Sequence, residues 1–158
     1  MNPTPPKSAL REELLRRLQG ELDQLEKAHR SSIEAATHDE AKPENSKDTR
    51  ALEQSYLARG QALRVEDLRR AVLDVAAMPV RPHEAVGVGA LVTADEDGEA
   101  RVLYVAAHGG GSALADGRVQ VVTPTSPLGR ALLGRAAGDV CEVAAGGRTR
   151  VLALVEVA

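Results

Sequence analysis

Two heptad-spaced seams with opposite gradients run through the first half of this 158-residue chain. The first runs Leu15, Leu18, Leu22, Leu25, His29, Ser32, Ala36; the second runs Ala51, Gln54, Ala58, Gln61, Val65, Leu68, Val72, Val75. Such spacing puts each set on one helix face. Large apolar residues come early in the first seam and late in the second, so small and polar ones gather between. Folding the helices back on one another brings Leu15–Leu25 to Val65–Val75 and satisfies both seams at once. Residues 37–48 form the turn, where Pro43 breaks a continuous helix and Ser46 or Asp48 caps the returning one. A helix of roughly 30 residues would carry that tip on the order of 45 Å from the base of the hairpin.

The second half obeys another period. It holds 12 of the 14 glycines and is rich in Val, whereas no Gly stands between Glu21 and Arg59. Met78-Pro79-Val80-Arg81-Pro82 marks the join, since each Pro lacks an amide donor and biases its predecessor toward extended backbone. Strands are expected over Val86–Ala94, Ala100–Ala107, Val119–Thr123, Val140–Ala144 and Arg150–Val157. Asp95-Glu96-Asp97-Gly98 and Gly146-Gly147 supply turns, and Gly109-Gly110-Gly111 a flexible loop. Pro127–Arg135 reads as a short helix with Leu128, Leu132 and Leu133 on one side. The fold class is therefore α+β. An N-terminal antiparallel helical hairpin occupies residues 1–78, and a small antiparallel β domain with one helix occupies 79–158.

Composition removes several function classes. Aromatics are two Tyr, with no Trp or Phe, too few for a base-stacking platform. Lys and Arg number 20 against 23 acids, split 13 to 14 up to Val80 and 7 to 9 beyond, so the basic excess of a duplex binder is missing. One cysteine, Cys141, allows no internal disulfide and no zinc site needing two thiolates. The start has no secretory signal, and the longest apolar stretch, Ala85–Ala94, falls well short of the roughly 20 residues of a membrane helix. A cytoplasmic protein without membrane contact is expected.

Few residues invite a chemical reading. His108-Gly109-Gly110-Gly111 resembles an esterase oxyanion loop, but Gly-x-Ser-x-Gly is absent. Gly87-Val88-Gly89 lacks the third glycine of a dinucleotide site, and close backbone packing accounts for it better. The four histidines show no metal-ligand spacing. Asp39, Glu40 and Glu44 cluster at the hairpin tip, with Asp48 nearby. They are either an ordinary solvated turn or carboxylates offered to a hard cation such as Mg²⁺, which takes one or two carboxylates and keeps several waters.

Ser126-Pro127-Leu128-Gly129-Arg130-Ala131-Leu132-Leu133-Gly134 followed by Gly138-Asp139 and a Val-rich strand, together with Glu44-Asn45 in the tip, resembles the bacterial Gre factors. The segment Asp48–Ala58 is similar to the returning helix of a compact Gre-like subgroup. The resemblance covers nearly the whole chain. It implies an FKBP-like C-terminal domain and a partner, bacterial RNA polymerase, whose secondary channel the hairpin enters. It also implies tip residues Asp39, Glu40 and Glu44 acting in trans at the polymerase active site. Glu40 and Glu44 would help hold an Mg²⁺ shared with the polymerase, and the 3′ end of a backtracked transcript would be cleaved nearby. Ser126 and Pro127 match the loop that grips the channel rim, and Asn45 the Asn of the family's tip. The protein would be no enzyme and would have no cofactor of its own.

One position departs from the pattern. The family's tip reads Asp-x-x-Glu-Asn, and Ala41 stands three residues before Glu44. Either the turn is built differently and Glu40 substitutes, or metal support is weakened and the protein occupies the channel without stimulating cleavage. An unrelated coiled-coil adaptor is the third reading. A DksA-type factor would need a cysteine-rich zinc domain, and prolyl-isomerase activity an aromatic-lined pocket; the second half has only Tyr104.

Overall fold

The computed structural model describes residues 3–40 and 48–158, without the side chains of Asp39, Glu40, Asp48 and Ala51. The chain divides into two compact units, Arg16–Val72 and Met1–Leu15 with Leu73–Ala158.

The first unit is built from α1 (Lys7–Glu40) and α2 (Asp48–Ala76), which supply Arg16 onward and residues up to Val72. Rising numbers on α1 meet falling numbers on α2. Leu25 and Ala28 share a groove with Leu68 and Arg64, and Glu26 and His29 share the next with Arg69 and Val65. Arg69 Nη2 reaches Glu26 Oε1 at 3.3 Å across the pair. The helices are antiparallel, as the seams require. Leu18, Leu22, Ser32, Ala36, Val65 and Leu68 are buried, and Leu25, His29, Gln54, Ala58 and Gln61 are half-buried. Buried leucines and valines give way to small and polar seam residues toward the ends of the two helices nearest residues 41–47. His29 Nδ1 and Gln61 Oε1 are buried there without a hydrogen-bond partner.

The second unit is a six-stranded sheet in the order β3-β4-β2-β1-β6-β5. Its strands are β1 (Leu91–Glu96), β2 (Glu99–Val105), β3 (Ala113–Leu114), β4 (Val119–Val122), β5 (Val140–Ala145) and β6 (Arg148–Val157), with α3 (Pro127–Leu132) between β4 and β5. The sheet is mixed, which corrects the expectation of a wholly antiparallel one: β4 runs parallel to β2, with Val102 opposite Val119 and Val105 opposite Val122. Alternation of apolar residues marks a strand but not its direction. The segment between β2 and β4 is long enough for the crossover that parallel pairing needs, and it contains β3. The strand expected over Val86–Ala94 is shorter than that and begins at Leu91. At Gly89 the backbone has φ +94°, and a Cβ there would meet the Pro79 carbonyl at 2.6 Å. Close backbone packing is thus the use of Gly89, whereas a Cβ on Gly87 would meet only the His83 ring at 3.8 Å.

One face of the sheet packs against α3. Val92, Ala94, Leu103, Val105, Val143, Leu152 and Leu154 form the core with Leu128 and Leu132. Leu133, expected on the same side, ends the helix as its C-cap and is 40% exposed. The helix ends in this unit add Leu10, Leu14, Val75 and Met78, each at most 3% exposed. Arg11 Nη1 donates to the Met78 carbonyl at 2.8 Å, and the Ala115 amide donates to Glu13 Oε2 at 3.0 Å. The glycine run expected as a flexible loop is fitted instead. A Cβ on Gly109 would stand 2.7 Å from Leu14 Cδ1, one on Gly110 3.0 Å from Thr123 Cγ2, and the Gly111 amide donates to the Val121 carbonyl.

Candidate functional site

At the tip, Asp39 and Glu40 are the last two residues of α1 and Asp48 the first of α2. Glu44, Asn45 and Ala41 lie outside the described residues. His38, in the last turn of α1, is the one basic residue there.

Ser126 and Pro127 build the opening of α3. Ser126 is the N-cap, with extended backbone and its hydroxyl accepting from the Gly129 amide at 3.0 Å while donating to the Thr123 carbonyl at 2.8 Å. Pro127 takes the first helical position, where its missing amide costs nothing. Leu128 is buried beneath them. The Ser hydroxyl is thus spent inside the turn, and the exposed Pro127 is what the turn presents.

Beside this turn opens a cleft of about 550 Å³, walled by Val121, Leu128, Pro127 and Val143 and reached by Gln120 and Arg150. No aromatic residue lines it. Tyr104 is fully buried elsewhere, and burial raises its phenol above the ordinary range. The cleft thus lacks the ring-lined wall that an isomerase reading needs.

Glu96 and Arg150 were not singled out from the sequence. Glu96, expected in an acidic turn, is the last residue of β1 and only 9% exposed. Arg150 Nη2 donates to Glu96 Oε2 at 3.0 Å, and Arg101 Nε donates to the same oxygen at 3.1 Å. Hydrogen bonding from Arg150 holds the Glu96 carboxyl below its usual range despite burial, and the charges of both arginines act the same way. The signal was strand phase. Glu96 follows Val92 and Ala94 at period two, and Arg150 precedes Leu152 and Leu154, so both point where the core points.

Other motifs serve packing. His108 Nε2 lies 2.8 Å from Asp74 Oδ2. Cys141 is buried, which pushes its thiol up and away from reactivity. Among the described residues no group of three or more His, Cys, Asp or Glu could hold a metal ion, and no helix is long and apolar enough to cross a membrane.

The family profile described as "Transcription elongation factor, GreA/GreB, C-term" matches residues 81–158. The transcription elongation factor GreA of Rhodospirillum rubrum is 31% identical over 144 residues, covering 86% of this chain and 87% of that one. GreA of Brucella canis is 33% identical over 144 residues, covering 89% and 85%. A solved structure of Gfh1 from Thermus aquaticus aligns over 90% of this chain and 92% of that one at 22% identity, with a TM-score of 0.41. Similarity that spans both helices and the sheet sets aside the reading of an unrelated coiled-coil adaptor: the chain belongs to the GreA/GreB family of transcription elongation factors.

Proposed function

We propose that this chain binds bacterial RNA polymerase, docks through the Ser126–Pro127 turn at the rim of the secondary channel, and inserts its helical arm to promote cleavage of backtracked transcripts. The observation that carries this reading is the position of Asp39 and Glu40 at the end of a 34-residue helix. Such a helix is about 50 Å long. Family membership supplies the partner.

The donor set suits the chemistry. Asp39, Glu40 and Glu44 offer only carboxylate oxygens, the ligands a hard cation prefers, and one or two suffice when phosphate oxygens and waters complete the shell. An Mg²⁺ shared with the polymerase would acidify an attacking water and neutralise phosphate charge. Glu40 and Glu44 would help hold that ion, with Asp39 as the third carboxylate acting in trans. Asn45 offers an amide to polymerase. The chain lends residues and is no enzyme by itself.

A second reading is favoured by Ala41, which stands where the family's tip has an Asp. With that ligand missing, the protein enters the channel and competes with cleavage factors without stimulating cleavage. Backtracked elongation complexes, with transcript length followed over time, decide between them. Faster shortening than with polymerase alone supports the first reading. No acceleration, combined with suppression of a cleavage-competent Gre factor, replaces it with the second. Failure to bind polymerase overturns both.

A further inference from the structure

We propose that the cleft beside Ser126–Pro127 reads a carboxylate: Arg150 receives an Asp or Glu side chain carried on an apolar segment of the polymerase rim. This rests on the polymerase reading above and names the chemistry of the partner at that docking site.

The cleft has the volume of a binding pocket, about 550 Å³. Its walls are mostly apolar, and among the described residues Arg150 is the one formally charged residue that lines it and no carboxylate does. Arg150 is held by Glu96, with Nε and Nη2 both donating to it, while among the described residues Nη1 makes no hydrogen bond. Glu96 is shared between Arg150 and Arg101, and Arg101 also meets Glu99 at 3.6 Å. What Arg150 keeps unused is its Nη1 donors. Its guanidinium is also already fixed, so little side-chain freedom remains to be lost when a ligand binds. A half-buried planar cation with free N–H donors pairs best with a carboxylate oxygen. Ser126 is no rival for that ligand, since its hydroxyl is used within the turn. The apolar walls fit the side chains flanking the acid, and the exposed Pro127 extends the contact at the edge of the cleft.

The test is binding of the full-length chain to RNA polymerase core enzyme, followed by fluorescence anisotropy from about 50 to about 400 mM KCl, a range over which ionic screening changes strongly. Wild type is compared with R150Q, with R150K and with the charge-compensated pair E96Q/R150Q; thermal melts establish that each is folded. The pair is included because R150Q leaves Glu96 with only one arginine. Expected are about tenfold weaker binding for R150Q and E96Q/R150Q at low salt, a smaller loss for R150K, and convergence with wild type at high salt. Equal affinity of wild type and both Gln variants overturns the inference while leaving polymerase docking intact. So does a loss that persists unchanged across the salt range, because its origin would then be shape and not charge. A wild-type chain that fails to bind overturns the polymerase reading, and this inference falls with it.

Discussion

A Cβ on Gly129 would overlap the carbonyl oxygen of Thr123, the same oxygen that accepts the Ser126 hydroxyl. The obstacle is backbone, so no side-chain rotation relieves it. Gly129→Ala should open the turn and destabilise the protein by about 2–3 kcal/mol, read from urea unfolding. Affinity for polymerase should fall with it. Unchanged stability would show that the turn tolerates a rearrangement these contacts argue against.

Ser126→Ala removes the cap and leaves the Gly129 amide without its acceptor. A loss of about 1 kcal/mol is expected, with Ser126→Thr retaining most of the stability. Polymerase binding should weaken in the Ala variant and recover in the Thr variant. Weakened binding in both would mean that the Ser side chain touches polymerase directly.

Glu96 makes stability depend on pH in a defined direction. Its folded value lies below the ordinary 4.5 because Arg150 and Arg101 favour the carboxylate. The stabilisation is therefore complete above the unfolded value and is lost as pH falls through the folded one. Denaturation curves from about pH 7 down to about pH 3 should show a decline that Glu96→Gln flattens. At neutral pH the Gln variant should be about 1–3 kcal/mol less stable, a range lowered from that of a fully buried pair because both arginines are partly exposed. A wild-type slope identical to that of the variant would contradict the assignment.

At the tip, Glu44→Ala should abolish stimulated cleavage while leaving polymerase affinity unchanged. Ala41→Asp restores the family's spacing and should raise the cleavage rate by about ten- to a hundredfold, the scale on which ligand placement acts. Transcript-shortening assays at saturating protein measure both. If Ala41→Asp changes nothing, the tip does not use that position.

Gln61 sits in the seam with its Oε1 buried and unpartnered. Gln61→Leu removes that desolvated acceptor and should stabilise the helical unit by about 1 kcal/mol, measured by chemical denaturation. A decrease would show that Gln61 is satisfied by water in solution.

Much of the helical half was legible because a heptad pattern specifies both the element and the buried face, although Leu10, Leu14 and Ala71, outside the seams, are buried and Leu15 and Val72, within them, are half-buried. The gradient from Leu18 and Leu22 to Ser32 and Ala36, mirrored from Leu68 and Val65 to Gln61 and Ala58, also specified antiparallel pairing. The β half was legible as strands and turns: Gly146-Gly147 joins β5 and β6 with both residues at positive φ. Its strand directions were less so. Nothing in Val119–Val122 distinguishes a parallel from an antiparallel neighbour, and β3, two residues long, is too short to show a period.

The candidate site divides the same way. Ser126-Pro127-x-Gly shows a cap, a helix start and a close approach from local chemistry alone, and the acidic cluster at 39–44 is visible as composition. The sequence by itself thus determined the helix pair, its direction and the turn that opens α3, because each depends on residues near one another in the chain. Tertiary structure alone decided that Glu96 and Arg150, 54 positions apart, form one half-buried ion pair, and that Arg150 stands in a cleft with Pro127. That pairing depends on β6 lying beside β1 in the register that sets Asp95 opposite Ala153, reached through a shift between Thr93 and Ala94. Register is a property of the assembled sheet: both strands carry the right phase, but only their alignment brings the two charges together.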